Sequence, residues 1–300
     1  MSADETPRPV WRSLLYVPTN NPRFVEKAHT RGADAIILDL EDACPPAERP
    51  AARERLAETV KSVGQAGADV VVRINREDAE RKADLDAAVV SGVRALFVAK
   101  CDSPDYVREL EDQVSELEKA RNLAEGTVGF SIMVESPGAL RKAADIGMAS
   151  ERAISMSLGG EDFATEMHFP PDPETLELPK LLCLMAAREA GLMPLGFLGT
   201  VADYSDLDAV RPVLSRSRKF GFEGASCIHP AMVPLLNAAF APTSDEVAWA
   251  ERVVTQYAEA QEKGLGAITV DGKMVDVPVA IRASRLLDRH RAIAIKTSGG

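Results

Sequence analysis

The chain is poor in aromatics, poor in cysteine and short of positive charge. Phe, Trp and Tyr make up 5% of its 300 residues, too few for the stacking platforms that hold single-stranded nucleic acid. Against 46 acidic residues stand 35 basic ones, leaving a formal charge of −11 and a pI near 5.0. No broad basic field exists to attract nucleic acid or an anionic membrane surface; a local basic cradle for one phosphorylated cofactor is still compatible with that sign. The four cysteines, Cys44, Cys101, Cys183 and Cys227, are too widely spaced for zinc or redox motifs. No apolar run is long enough to span a membrane. The opening MSADETPRPVW is polar and acidic where a secretory leader is basic and then apolar. The expectation is a reduced, cytoplasmic protein with frayed ends, up to about Pro9 and over KTSGG. Three signatures are also missing: GxxxxGK[ST], GxGxxG after a strand, and GxSxG, where Ser155 stands in place of the first glycine before Ser157. Their absence disfavours P-loop, Rossmann and α/β-hydrolase chemistry.

What is present is apolar material in a regular order. Hydrophobic residues are 46% and charged residues 27%, enough for a sizeable core. Eight short apolar runs recur: 13–17, 35–40, 70–74, 95–99, 129–134, 154–158, 194–198 and 225–228. Several are rich in Val and Ile without polar alternation, which predicts strands buried on both faces. Amphipathic stretches predict helices at 22–31, 51–66, 104–123, 137–146, 173–190 and 205–220, with Gly32, Gly191 and Gly221 at C-caps. Alternating strand and helix means parallel strands, and eight such units predict an α/β (β/α)8 barrel over 11–240. Beyond it, 244–263 reads as a helix capped by Ser244, followed by a hairpin around Asp271-Gly272 and a final helix at 279–291. Together these form a lid or oligomerisation segment, 241–295.

In barrels of this kind the chemistry sits at the C-terminal ends of the strands. There the sequence places Asp39, Glu41 and Asp42 after the second run, and Arg73 and Asn75 at the end of the third. Lys100 follows the fourth, Glu135 the fifth, and Glu161 and Asp162 the sixth. Polar strand ends also occur simply because loops begin there, but five strands in a row form a ring of opposite charges. Glu135 and Asp162, one β-α-β step apart, would face one mouth as oxygen ligands for Mg²⁺. The scattered histidines argue against a zinc site; His229 is the one nearest the expected mouth, and a loop-packing imidazole is its ordinary role. Arg73 suits a substrate carboxylate; an ion pair to Asp39 or Glu41 is the competing role, and both can hold together. Arg23 and Lys27, one helical turn apart, could bind a phosphate at the rim or simply form a solvated face.

At these residues the sequence resembles a known family. RSLLYVPTNNPRFVEKA, DAIILDLEDA, VVRIN, MVESPGAL, LGGEDFATEM and FGFEGASCIHP, spread over roughly 11–290, are similar to the citrate lyase β-subunit-like CoA-ester lyases of the HpcH/HpaI aldolase and citrate lyase superfamily. The resemblance implies a (β/α)8 barrel with a divalent metal, usually Mg²⁺. It implies cleavage or formation of a C–C bond in β-hydroxyacyl-CoA thioesters such as malyl-CoA, citramalyl-CoA or citryl-CoA, with coenzyme A as part of the substrate. It places Glu135 and Asp162 as metal ligands, Arg73 facing the oxo-acid product, and Asp39 with Glu41 or Asp42 beneath the metal. By the same resemblance Asp276, in KMVDVP, is an acid/base reaching a neighbouring subunit, which implies a homo-oligomer, trimer or hexamer. The chain departs from the family pattern at Ala99-Lys100, at Ala225-Ser226, and after the seventh run, where the acidic groups are displaced to Asp203 and Asp206. These departures bear on the substrate and on the coenzyme A contacts. Two other readings share the site: a metal-dependent aldolase on free 2-oxo-4-hydroxy acids, and an acyl-thioester-binding subunit of a larger lyase complex.

Overall fold

The computed structural model describes residues 8–200 and 206–298. The chain divides into two compact units, Met1–Phe240 and Ala241–Gly300.

In the first unit all eight apolar runs are strands: β1 (Ser13–Pro18), β2 (Ala35–Asp39), β3 (Asp69–Ile74), β4 (Val93–Val98), β5 (Gly129–Val134), β6 (Ala153–Leu158), β7 (Met193–Leu195) and β8 (Ala225–Cys227). They pair in parallel in the order β7-β6-β5-β4-β3-β2-β1-β8. The ring closes between its two shortest strands through one bridge, Leu195 to Gly224, with Gly196 N–H donating to the Gly224 carbonyl at 2.8 Å. Gly224 is a glycine for a steric reason: a Cβ there would lie 1.7 Å from the Trp11 carbonyl oxygen.

Helices fill the gaps: α1 (Pro22–Ala28), α2 (Arg49–Glu54), α3 (Leu56–Gly64), α4 (Asp78–Ala88), α5 (Pro104–Ala120), α6 (Pro137–Leu140), α7 (Ala143–Gly147), α8 (Gly160–Met167), α9 (Pro173–Glu189), α10 (Leu207–Phe220) and α11 (Met232–Ala239). Four of the earlier ones, α1, α5, α6 and α9, start on a proline behind an Asn, Ser or Asp side-chain cap, which fixes φ where no N–H is needed. Gly32, Gly191 and Gly221 adopt positive φ at helix ends as expected. The predicted helices 51–66 and 137–146 are each broken in two, at Arg55 and at Arg141–Lys142. The first position of the predicted helix 205–220 lies outside the described residues, as does Asp203; Asp206 caps α10 through the amides of Asp208 and Ala209.

Strand parity decides what enters the barrel. Ile36, Leu38, Val70, Val72, Leu96 and Ile132 face the helices in the main core. Leu14, Ala35, Ile37, Val71, Ala95, Phe97 and Met133 form a separate inner cluster. Continuing that inner parity by two residues brings Asp39, Arg73 and Glu135 to the end of the barrel.

The second unit holds α12 (Ser244–Glu262), the antiparallel hairpin β9 (Ile268–Val270) and β10 (Lys273–Val275), and α13 (Val277–Ser298). Its core gathers Val253, Tyr257, Val270, Val275 and Ala283. Asp271 and Gly272 both take positive φ, 49° and 75°, the geometry of a type I′ hairpin turn. Two expectations are corrected. The cap of α12 is Thr243, reciprocally bonded with Glu246 in a capping box, not Ser244. And α13 runs to Ser298, so Lys296, Thr297 and Ser298 are helical rather than frayed.

Candidate functional site

A cavity of about 440 Å³ opens at the C-terminal ends of the strands. Asp39, Asp42, Arg73, Glu135, Glu161 and Asp162 line it, over an apolar floor that includes Tyr16, Phe97, Met133 and Leu195. Predicted residues from four of the five strand ends, those of β2, β3, β5 and β6, therefore converge in its lining.

The centre of the arrangement is Asp39. Its Oδ1 accepts from Arg73 Nε at 2.8 Å and its Oδ2 from the second Arg73 nitrogen at 2.6 Å. The same carboxylate accepts the backbone N–H groups of Glu41 and Ala43, so it locks the turn after β2 as well as the arginine. Arg73 also meets Glu41 at 2.9 Å and Asp42 at 3.1 Å, and its guanidinium lies 5.1 Å from the Tyr16 ring centroid. Burial opposes the charge on Arg73, but Asp39 and Glu41 outweigh it and raise its pKa. The ion-pair role is thus what the structure displays, with Arg73 still on the cavity wall.

Glu41 links this group to the next strand. It accepts from Lys100 Nζ at 2.8 Å, while burial pushes its carboxyl upward and Arg73 and Lys100 pull it down. Lys100 sits at φ 50°, and in that left-handed position its backbone N–H donates to Glu135 Oε2. Glu135 is 4% exposed. Burial pushes its carboxyl up to about 7; the Lys100 amide and Arg73 oppose this, and Asp162 and Glu41 add repulsion. Asp162 enters from the first turn of α8, and Gly159 precedes that helix. A Cβ on Gly159 would lie 2.5 Å from both Cγ and Oε1 of Glu135, so the glycine keeps open the space that the carboxylate occupies.

This donor set fits a hard divalent cation. Two carboxylates, one with its pKa raised first by burial and further by the charge of the other, gain most from a positive charge between them. Among the described residues no group of three or more His, Cys, Asp or Glu could hold a metal; such an ion would take Glu135, Asp162 and water, as Mg²⁺ does when bound through one or two carboxylates.

Other predicted residues stand apart. Arg23 and Lys27 are exposed on α1 and do not line the cavity. Lys100 and Glu41 are outside the lining and act through Glu135 and Arg73. Asn75 is structural: its backbone and side-chain N–H groups go to Asp84, and its side chain also donates to the Leu40 carbonyl. His229 is exposed, and its Nδ1 accepts from the Ala231 amide. Asp276, in the second unit, accepts from the Val279 amide at the start of α13. Two lining residues escaped the sequence reading: Tyr16, whose hydroxyl burial pushes upward in pKa, and Lys180 of α9, 8% exposed. Nothing in the spacing of either separates it from core or helix-face residues. All four cysteines are buried and unpaired. No helix among the described residues is long and apolar enough to cross a membrane.

The sequence model of the HpcH/HpaI aldolase/citrate lyase family matches residues 12–230. The chain is 34% identical over 292 residues to the citrate lyase subunit beta of Leuconostoc mesenteroides subsp. cremoris, with 96% of each chain covered. It is 33% identical over 288 residues to a (3S)-malyl-CoA thioesterase of Cereibacter sphaeroides (strain ATCC 17025 / ATH 2.4.3), covering 95% of this chain and 96% of the relative. Among solved structures it resembles the protein CitE from Mycobacterium tuberculosis in complex with magnesium, acetoacetate and coenzyme A. That match has a TM-score of 0.72 at 26% identity, over 93% of this chain and 97% of the other.

Proposed function

The chain belongs to the HpcH/HpaI aldolase/citrate lyase family, and from that premise we propose that it is a Mg²⁺-dependent CoA-ester lyase of the cytoplasm. Its substrate is a β-hydroxyacyl-CoA such as malyl-CoA, citramalyl-CoA or citryl-CoA, cleaved or formed by a retro-Claisen reaction. The observation that carries the reading is the buried Glu135, repelled by Asp162 and seated against Gly159. That pair favours a divalent cation, as the complex of the Mycobacterium relative with magnesium and coenzyme A does.

In this reading Glu135 and Asp162 hold the metal, which supplies Lewis-acid stabilisation to the oxygen of the acid half. Arg73, fixed by Asp39, keeps a positive charge on the cavity wall without rearrangement during the reaction. Glu41 and Lys100 hold the turn whose amide orients Glu135. The hydroxyl proton of the substrate passes to water as its C–C bond breaks; the electron pair of that bond goes to the departing thioester enolate, which takes up a proton at carbon. Asp276 of a neighbouring subunit is the proposed donor, which makes the working form a homo-oligomer, a trimer or hexamer.

A panel of the three thioesters, assayed with Mg²⁺ for glyoxylate, pyruvate or oxaloacetate, tests this. One is expected to be cleaved, and Glu135→Gln and Asp162→Asn are each expected to lose at least about 100-fold in Mg²⁺-dependent turnover. Full activity in both variants would remove the metal assignment. The Cereibacter relative supports a second reading, thioester hydrolysis; release of free CoA thiol together with intact malate would decide for it.

A further inference from the structure

Beyond Leu195 the chain leaves the sheet yet continues to line the cavity through Gly196, Phe197 and Thr200. Among the described residues no strand partner runs beside this segment. It is held instead by isolated hydrogen bonds from three directions. Gly196 N–H donates to the Gly224 carbonyl. Leu198 N–H donates to Ser217 Oγ of α10 at 2.9 Å. Lys180 Nζ, from α9, donates to the Phe197 carbonyl at 3.0 Å and to the Gly199 carbonyl.

Lys180 is an unusual residue for that task. Its side chain is buried among apolar neighbours of α9 such as Leu176, Cys183 and Leu184, where a Leu or Met would pack without cost. No carboxylate of the described residues forms a salt bridge with it. Burial lowers its pKa to about 8, with Glu161 the one charge opposing. A buried ammonium is expensive unless its N–H groups are satisfied, and here two carbonyls of one cavity wall satisfy it.

We propose that Lys180 is a positioning residue for the substrate: its ammonium replaces the strand hydrogen bonds that β7 lacks and fixes the cavity wall formed by residues 196–200. This rests on the reading that the cavity holds the thioester substrate, and adds to it the residue that shapes the wall. A loosened wall weakens the grip on substrate more than it slows the chemistry, because Glu135, Asp162 and Arg73 stand on other segments, after β5, in α8 and on β3.

The test compares full-length wild type, Lys180→Met and Lys180→Arg. In Lys180→Met, hydrogen exchange at the Gly196 and Leu198 amides should speed up about tenfold, the worth of one or two hydrogen bonds. Exchange at the β5 amides of Ile132 and Val134 should not change. KM for the cleaved thioester should rise about tenfold with kcat nearly constant, Mg²⁺ affinity by calorimetry should hold, and Lys180→Arg should recover most of the loss. If Lys180→Met melts below the assay temperature, all three proteins are compared at a temperature below its midpoint. Unaltered exchange at Gly196 and Leu198 overturns the proposal. So does faster exchange with an unchanged KM, which would confine Lys180 to stability. Wild-type protein that cleaves none of the thioesters overturns the proposed function instead, and the exchange measurement still decides whether Lys180 holds the wall.

Discussion

Glu135 binds a proton in the folded, metal-free protein up to about pH 7, against an ordinary value of 4.5. The sign of the consequence follows from linkage. Stability from this group is fully present below about pH 4.5 and is lost as pH rises through about 7, because the unfolded chain releases the proton first. The loss is on the order of 3 kcal/mol. Urea denaturation of metal-free protein across that window should show wild type weakening relative to Glu135→Gln; parallel curves would acquit Glu135. Gly159→Ala puts a methyl within 2.5 Å of the same carboxylate. It should weaken Mg²⁺ binding about tenfold or more by displacing a ligand, measurable by calorimetry, while the melting temperature moves little. Much of this site is readable in the chain, since charged residues directly after continuous apolar runs announce strand ends. The partner choices are not readable. That Asp39 takes both Nε and Nη2 of Arg73, or that Lys100 reaches Glu135 with its amide rather than its ammonium, depends on a left-handed φ and on neighbouring strands. Lys180 is hidden for the same reason: on α9 it is one lysine in a helical pattern, and only the packing of α9 against the chain after β7 brings it into the cavity.

At the scale of elements, the eight strands are legible because burial on both faces removes polar alternation and leaves plain runs of Val, Ile and Leu. Three helices are not. α4 has the sequence DAERKADLDAA, and its inner face is completed by Arg81 and Asp84, 2% and 0% exposed. Arg81 is held there by Asp78 and Glu109, and Asp84 by Arg53 and Asn75. Ion pairs stand where the apolar stripe would be, so no periodic signal remains. α8 and α11 are two turns long, too short for a period to be recognised. The closing seam gives the sharpest prediction at this scale. Gly224→Ala forces its methyl into the Trp11 carbonyl and must push β8 away from β1 or open the bridge to β7. A loss of about 3 kcal/mol or more is expected, as for severe overpacking, read as a lower urea midpoint. A variant as stable as wild type would show that the seam can give way cheaply.

For the whole molecule, a charge of −11 says little about a site whose cationic groups are Arg73, Lys100, Lys180 and, in the proposed function, a divalent cation; local placement outweighs the global sign. If Asp276 serves a neighbour, two separately inactive variants should repair each other. Glu135→Gln and Asp276→Asn subunits, co-expressed in equal amounts, would place an intact Glu135 beside an intact Asp276 at about one site in four of a random ring. Activity near that fraction supports the shared site. A mixture as inactive as its parents, or a chain that sediments at 32.3 kDa, argues for a site made by one subunit. The order of the sheet has one more consequence, and it concerns time. Every strand from β1 to β7 finds a partner in the next segment of sequence, except that the other edge of β1 must wait: Ser13 pairs with Ala225, which is 225 − 13 = 212 positions later. On a ribosome adding roughly 5–20 residues per second, that edge stays open for about 10–40 s. The nascent barrel therefore spends its synthesis as an unclosed ribbon, with Trp11 uncovered on the side where Gly224 will arrive. Closure must wait until Ala225 has been made, an event that the emission of this single indole, in a Trp249→Phe background, would time.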